Sequence, residues 1–140
     1  NPVTDVILTQ KQKEAEEKGI DFRCKFMYPT DTGINAFDVS VILNNAITNA
    51  FEGVNGCKNP YVSVSAYRKK NAYMLELTNC VCKSVEIDDE TGVPETTKKD
   101  KGSHGFGLAN IRKVAQKYYG DIDISQDENS FTLTVMLMVE

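Results

Sequence analysis

Two asparagines stand one helical turn apart in an apolar stretch of the sequence, Asn44–Gly53 (NNAITNAFEG). Asn45, Asn49 and Glu52 have the spacing i, i+4 and i+7, so on a helix they form one polar stripe that points at the edge of the core. Asparagine is a mediocre helix former, so helix propensity does not account for the pair. A neutral amide oxygen suits Mg²⁺ when the other ligands are phosphate oxygens and water. The stripe therefore predicts a magnesium and phosphate site, with amides that cap loops or face water as the alternative.

A glycine-rich segment, KGSHGFGLANI, runs from Lys101 to Ile111 and leads into a helical pattern. Gly102, Gly105 and Gly107 permit close approach to the backbone, and the positive end of a helix attracts phosphate oxygens. The polar residues before these glycines exclude the dinucleotide-binding fingerprint, which requires a strand there. The segment predicts a second phosphate contact, with an ordinary loop and helix cap as the alternative.

Asn79 comes at the end of the alternating segment AYMLELT, which reads as a strand. Its amide carries both a hydrogen-bond donor and an acceptor, a combination that suits the edge of a nucleobase. Asparagine is also common in turns that end strands, and this is the alternative interpretation. Asn79 is therefore a candidate base-binding residue.

A polar connection of about two dozen residues separates Asn79 from His104 and contains few large apolar side chains. A structureless connection of this length inside a compact domain is usually functional or mobile, so the sequence predicts a flexible lid. Four lysines could close over phosphates as the lid folds, or form a solvated charge run. They are Lys83, Lys98, Lys99 and Lys101.

Length and composition limit the class of protein. A chain of 140 residues fits one domain, since a chain of about this size can bury roughly 68–70% of its unfolded surface. The formal net charge of -4 argues against nucleic acid or anionic lipid as the main partner. No run approaches the length of about 18 apolar residues that predicts a membrane span.

The cysteines carry no signature of a disulfide framework or a zinc site. The chain has no secretory signal and enough apolar residues to fold without covalent staples, so we predict reduced thiols. Two of them are separated by a single residue and the lone histidine is distant, which does not fit zinc-type spacing. The four are Cys24, Cys57, Cys80 and Cys82.

Hydrophobic periodicity predicts three helices and five strands. The helices are an opening segment with Val3, Val6, Ile7 and Gln10 as its stripe and Gly19 as its stop, the long segment Phe37–Val54, and LANIRKVAQKYYG stopped at Gly120. The strands are Phe22–Tyr28, of antiparallel type, YVSVSAY and AYMLELT joined by RKKN, and a closing hairpin of DIDIS and SFTLTVMLMV. Asp38 is expected to cap the long helix or to place a charge in its first turn.

The order and spacing of these motifs resemble the GHKL ATPase superfamily, which includes gyrase, MutL and histidine kinases. NNAITNAFEG is similar to the N box in its N-L-L-D-N-A-I-E-A version, and HGFGLANI to the G2 box in its H-G-I-G-L-x-N version. Both versions are typical of quorum-sensing and sporulation-type sensor kinases. The resemblance covers nearly the whole chain and implies an α+β fold. The family fold is a two-layer α/β sandwich (GHKL or Bergerat fold) whose mixed, mostly antiparallel sheet carries helices on one face.

The resemblance also implies a division of the chain. Residues 1–20 would be a residual linker helix from a dimerisation region, and residues 21–140 the ATP-binding catalytic domain. The opening NPVTDVILTQKQKEAEEKG has no initiator methionine, which predicts an excised fragment. The resemblance places this domain in the cytoplasm, without membrane contact of its own, in a membrane-anchored parent.

The resemblance implies Mg-ATP bound between the long helix and the lid. Asn49 would bind Mg²⁺, Asn45 would lie near the phosphates and Asn79 would face the adenine, with Asn45 and Asn49 as the catalytic pair. Gly105 and Gly107 would admit the phosphates. The full implied ATP-binding set is Asn45, Asn49, Asn79, Lys101, Gly102, His104, Gly105, Gly107 and Leu108.

The sequence departs from the family pattern at two positions. The D-x-G-x-G adenine-binding box is absent, and Asn79 stands where its aspartate is expected. Glu52 occupies a position that is basic in many histidine kinases, so we expect it to orient a neighbour.

The residue type at position 45 indicates whether the site can hydrolyse ATP. GHKL hydrolases such as gyrase carry a glutamate at this place, whereas the Asn45 amide has no titratable group and cannot act as a general base. This predicts slow hydrolysis, with the γ-phosphoryl group reserved for a nucleophile on a partner.

The resemblance implies the catalytic domain of a two-component sensor histidine kinase. It would donate the γ-phosphoryl group to a histidine on a separate dimerisation domain of its parent, which then supplies a response regulator. His104 is a poor acceptor, and we expect its ring to pack against the lid hinge or to face solvent. The absent D-x-G-x-G box leaves open a catalytically degenerate nucleotide-binding or protein-interaction module. An ATPase of the gyrase or MutL kind is the second alternative, which Asn45 argues against.

Overall fold

The computed structural model describes residues 1–82 and 104–139, which form three helices over a five-stranded sheet. The elements are α1 (Pro2–Lys18), β1 (Asp21–Phe26), α2 (Ala36–Gly53), β2 (Tyr61–Lys69), β3 (Ala72–Cys80), α3 (His104–Lys117), β4 (Asp121–Gln126) and β5 (Ser130–Met138). The strand order is β1-β2-β3-β5-β4, with β1 parallel to β2 and the other pairs antiparallel. The predicted α+β fold, with helices on one face of a mixed sheet, is confirmed. Within the described ranges no helix is long and apolar enough to cross a bilayer.

The three central strands alternate between a buried and a more exposed side, as the sequence predicted. Their buried side chains form the sheet half of the core: Val62, Val64, Ala66, Tyr73, Leu75, Leu77, Leu133, Val135 and Leu137. The predicted RKKN connector is shorter than expected. Both strands of the β2–β3 hairpin extend until only Lys70 and Asn71 remain, and Lys70 adopts a left-handed conformation (φ 56°) that suits a two-residue loop.

The prediction that the first strand is of antiparallel type is wrong. β1 pairs parallel with β2, with Phe22 opposite Val62, at the edge of the sheet. Phe22 is buried and Phe26 is partly buried, whereas Arg23, Cys24 and Lys25 are exposed, so only part of the face predicted to be covered is buried. Alternation of apolar and polar residues indicates that one face of a strand is covered. This is true of an edge strand in a β-α-β unit as well as of a strand in a hairpin, so the pattern does not determine strand direction.

α2 carries the predicted apolar face. The residues expected on that face are all buried: Val39, Ile42, Leu43, Ala46, Ile47, Ala50 and Val54. Of the two roles expected for Asp38, the charge in the first turn is confirmed. The cap is Asn35, whose Oδ1 accepts a hydrogen bond from the Phe37 N–H at 2.7 Å. Asp38 instead lies in the first turn and accepts hydrogen bonds from Lys117 Nζ at 2.9 Å and from the Tyr118 hydroxyl.

Asp38 therefore joins the start of α2 to the end of α3, and this contact predicts acid-sensitive stability. Burial acts to raise the pKa of Asp38, but the hydrogen bonds from Tyr118 and Lys117 outweigh it, so the pKa lies below the ordinary 3.8. A depressed pKa stabilises the folded state above the unfolded-state pKa, and this contribution is lost as the pH falls through the folded-state pKa. In urea titrations, Asp38→Asn should lower the free energy of unfolding by about 1 kcal/mol at neutral pH. The difference from the wild type should shrink once the pH falls below 3.8.

Tyr118→Phe provides a second test of this contact, and Tyr119→Phe is its matched control. Tyr118→Phe removes the hydroxyl that contacts Asp38 and that accepts a hydrogen bond from the Asn35 N–H at 3.0 Å. Tyr119 is adjacent in sequence and 89% exposed, so Tyr119→Phe should leave the stability unchanged. Equal effects of the two variants would contradict the role assigned to Asp38.

The stripe predicted for α1 is only partly confirmed: Ile7 packs against the core, whereas Val6 and Gln10 are exposed. Val6 is 55% exposed, whereas Thr4 and Ala15 are fully buried. Lys11 Nζ lies 3.0 Å from Thr48 Oγ1 of α2. The buried positions of α1 thus include small and polar residues, which apolar periodicity within α1 alone does not reveal.

The two predicted glycine stops differ in their physical origin. Gly19 ends α1 in the left-handed conformation (φ 71°), as expected. After α3 it is Tyr119 that has a positive φ (59°), not Gly120. A Cβ at Gly120 would lie 1.7 Å from the Met136 carbonyl oxygen, so this glycine is needed for the close approach of β5.

Candidate functional site

Two helices bring the candidate phosphate-binding residues together. α2 and α3 run antiparallel, since Asp38 at the start of α2 contacts Lys117 at the end of α3. At the other end of the pair, Asn49 of α2 lies against Gly107 of α3. The positive end of α3 therefore lies beside Asn49, where it favours a negatively charged ligand.

Asn49 is held against the backbone of α3. A Cβ at Gly107 would lie 2.8 Å from Asn49 Nδ2 and 3.2 Å from Oδ1, so only glycine leaves room for the amide. Nδ2 is buried and has no hydrogen-bond partner within the described part of the chain. A buried donor without a partner costs about 1–3 kcal/mol, and such groups in native proteins call for a functional explanation. The Asn49 side chain as a whole is only partly buried, so a ligand can reach it.

The asparagine ladder is confirmed as a helical stripe, but Glu52 does not belong to it. Asn45 and Asn49 are both partly buried on α2, whereas Glu52 is exposed and lines a groove with Lys18, contrary to the prediction that it points at the edge of the core. Around the helix axis, a residue at i+4 is rotated by about 40° in one direction from residue i, and a residue at i+7 by about 20° in the other. Gly53, at i+4 from Asn49, therefore continues the ladder toward β3.

Asn79 packs against this glycine. Its side chain is 4% exposed, and a Cβ at Gly53 would lie 2.6 Å from its Nδ2. Nδ2 donates to the Cys80 carbonyl oxygen at 2.9 Å, which fixes the orientation of the amide. Because Nδ2 is engaged, Oδ1 is the atom through which Asn79 can accept a hydrogen bond from a ligand.

Sequence reasoning missed Gly53 as a positioning residue. A glycine inside a helix costs about 1 kcal/mol relative to alanine, so its presence in the last turn of α2 called for an explanation. Its spacing from Asn49 was also available in the sequence. What the sequence did not show is the close approach of Asn79, which depends on the packing of β3 beneath α2.

The glycine-rich segment contributes the first turn of α3. The helix begins at His104, so Gly105 and Gly107 lie inside it and not in a preceding loop. The first four N–H groups of an α-helix have no partner within the helix, which makes this turn a potential anion-binding site. Leu108 is 4% exposed and belongs to the hydrophobic core, so its side chain is part of the packing between α3 and the sheet.

Several predicted residues lie outside the described part of the structure. These are the lid with Lys83, Lys98, Lys99 and Lys101, as well as Gly102 and the side chain of His104. The described site consists of three neutral amides and the start of a helix. Neutral amides can hold a cation and anionic oxygens together without changing their own protonation state.

Comparison with known proteins gives one family and a set of similar folds. The sequence model of the GHKL domain matches residues 34–138, from just before α2 to the end of β5. No curated protein matches the sequence.

Solved structures of histidine kinases share the fold. The catalytic domain of histidine kinase ThkA, in a nucleotide-free form, superposes with a TM-score of 0.78 at 17% identity, covering 99% of this chain and 91% of that one. A second nucleotide-free form of the ThkA domain gives 0.77 at 16% identity, with the same coverage of both chains. Acinetobacter baumannii histidine kinase AdeS gives 0.69 at 14% identity, covering 99% of this chain and 64% of that one.

Proposed function

The chain belongs to the GHKL domain family, and on that premise we propose that it is the ATP-binding catalytic domain of a two-component sensor histidine kinase. It donates the γ-phosphoryl group of Mg-ATP to a histidine on a separate dimerisation domain of its parent, which then supplies a response regulator. The observation that carries the proposal is the Asn49 amide, which lies against Gly107 in the first turn of α3 and whose Oδ1 can bind a cation.

In the proposed complex Asn49 is the protein ligand of Mg²⁺, and Asn45 lies near the phosphates. The fit rests on the amide of Asn49, which is confined by Gly107 at the positive end of α3. A Mg²⁺ ion held by Asn49 would supply positive charge that offsets the negative charge developing during phosphoryl transfer. The backbone N–H groups around Gly105 and Gly107 then hold phosphate oxygens. The remaining proposed contacts are Lys101, Gly102, His104 and Leu108, the last through its backbone.

Asn79 is the proposed adenine-binding residue in place of the aspartate of the missing D-x-G-x-G box. Because its Nδ2 already donates to Cys80, its Oδ1 is the atom that would accept from the exocyclic amino group of adenine. Guanine presents a carbonyl oxygen at the same position of the ring, which would oppose one acceptor with another. The proposal therefore includes a preference for ATP over GTP.

Asn45 disfavours transfer of the γ-phosphoryl group to water. Its amide cannot remove a proton from an attacking water molecule, so the chain lacks the general base of a GHKL hydrolase at this position. A neutral histidine of the dimerisation domain can attack without a general base. We propose that His104 is not the acceptor, and that the domain works on the cytoplasmic side of a membrane-anchored parent. The versions of the N and G2 boxes support the quorum-sensing or sporulation-type subgroup.

The second candidate is a degenerate GHKL module that binds nucleotide or protein without catalysis. The observation that favours it is the absence of the D-x-G-x-G box, which leaves Asn79 as the identified base contact. An amide forms a neutral hydrogen bond, which is weaker than the charge-assisted bond of a carboxylate.

Three measurements separate these functions. We expect calorimetry to show Mg²⁺-dependent binding of a non-hydrolysable ATP analogue, and γ-labelled ATP to label a histidine of the added dimerisation domain. The chain alone should release phosphate only slowly, because Asn45 is not a base. Absence of binding at millimolar nucleotide would favour the degenerate module. Steady turnover by the chain alone would indicate an ATPase of the gyrase kind.

A further inference from the structure

Three of the four cysteines meet beyond the C-terminal end of α2, and we refer to Cys57, Cys80 and Cys82 as the thiol cluster. Cys57 lies in the turn after α2, where its N–H donates to the Val54 carbonyl oxygen at 3.0 Å. Cys80 ends β3, and Cys82 follows it by two residues. Positions far apart in the sequence are thus brought together by the packing of α2 on the sheet.

Backbone contacts hold two of these sulfur atoms in place. Cys82 Sγ donates to the Asn55 carbonyl oxygen at 3.2 Å, which ties it to the turn that contains Cys57. Cys80 Sγ accepts from the Tyr61 N–H at 3.3 Å. Burial, together with the adjacent thiols of Cys80 and Cys82, raises the pKa of Cys57 to about 12. A Cβ at Gly56, the residue before Cys57, would lie 3.0 Å from Cys82 Sγ, so the Cys82 sulfur lies against the Cys57 turn.

The three thiols differ in access to solvent. Cys82 is exposed, Cys57 is partly buried, and Cys80 is buried at 8% exposure. A reagent from solution meets Cys82 first, with the Cys57 thiol close to it. Within the described ranges no His, Cys, Asp or Glu group is arranged to hold a metal ion, so the thiol cluster does not read as a metal site.

We propose that the thiol cluster is an oxidation site, at which Cys82 and Cys57 form a disulfide when the chain meets a hydroperoxide. The Cys82 thiolate attacks the peroxide, the O–O bond breaks, and Cys82 becomes a sulfenic acid while the peroxide leaves as an alcohol or water. Cys57 sulfur then attacks the sulfenic sulfur, the S–O bond breaks, and the departing oxygen takes the Cys57 proton and leaves as water. The two thiols together lose two electrons, which reduce the hydroperoxide.

The bond would join two segments that both position Asn79. The Cys80 carbonyl oxygen accepts from Asn79 Nδ2, and Gly53, just before the Cys57 turn, packs against the same amide. The disulfide would therefore cross-link the end of α2 to the end of β3 around Asn79. The assignment of the oxidation site itself does not depend on the proposed kinase function.

The test uses the full 140-residue chain, treated with hydrogen peroxide and analysed by mass spectrometry without reductant. We expect the intact mass to fall by two hydrogen atoms, a peptide pair linking Cys57 to Cys82, and reversal by dithiothreitol. Cys82→Ser and Cys57→Ser should each abolish the loss of two hydrogen atoms, because each variant lacks one of the two sulfur atoms of the proposed bond. Cys24, exposed on β1, provides the matched control, and Cys24→Ser should leave the yield unchanged.

Three outcomes would overturn the proposal. They are a disulfide between Cys80 and Cys82, oxidation of Cys82 to sulfinic acid without bond formation, and a disulfide that requires Cys24. Because Cys82 is exposed, its serine variant is expected to fold, so it carries the test if Cys57→Ser proves unstable. Circular dichroism of each variant before oxidation establishes which of them can be compared.

Discussion

Replacing Asn49 with alanine is expected to weaken Mg²⁺-dependent binding of a non-hydrolysable ATP analogue by roughly 10–100-fold, the loss of one contact to a charged ligand. The same substitution should leave the stability of the nucleotide-free protein unchanged or raise it. Asn49 Nδ2 is buried without a partner, so the alanine variant no longer carries the cost of desolvating that group. Calorimetry with and without Mg²⁺ measures the first effect, and urea titration measures the second.

Asn44 provides a matched control on the same helix. It is exposed on α2 and only one residue from Asn45, so Asn44→Ala makes the same chemical change outside the candidate site. We expect its affinity for the nucleotide to equal that of the wild type. If Asn49→Ala lowers stability and changes affinity equally with and without Mg²⁺, Asn49 has a structural role and the magnesium assignment is wrong.

The sequence was informative wherever local periodicity decides the structure. The apolar face of α2 and the alternation of the central strands follow from spacings of three to four and of two residues, which one segment contains in full. The Asn45–Asn49 pair could be identified for the same reason. Since the polar stripe is a property of one helix, it needed no knowledge of what packs beside it.

The sequence-based predictions were wrong or incomplete where the structure of one helix or strand depends on its packing against another. The direction of β1 is set by its partner β2, and periodicity within β1 contains no information about it. Gly53 and Gly120 owe their identity to the close approach of Asn79 and of Met136. Likewise, Cys57 could not be related to Cys80 from spacing, because α2 and β3 bring them together only after folding.

The contact between Gly107 and Asn49 allows the site to be tested from the other helix. In Gly107→Ala the new Cβ would lie 2.8 Å from Asn49 Nδ2, and the amide can move because it is the end of a side chain. Alanine in a helix gains about 0.5–1 kcal/mol over glycine, which offsets the repacking. We therefore expect a stability close to the wild type, with Mg²⁺-dependent affinity about ten-fold weaker or worse in calorimetry.

A double-mutant cycle distinguishes this mechanism from damage to α3 itself. If Gly107 acts by positioning Asn49, then Gly107→Ala should cause no further loss of affinity in the Asn49→Ala background, because the amide is already gone. The stability gained by replacing Gly107 with alanine should be retained in the double variant and reach its full size, because the Asn49 amide no longer has to move aside. Additive losses of affinity would contradict this role, because the methyl group would then obstruct the phosphates or the backbone N–H groups of α3 directly.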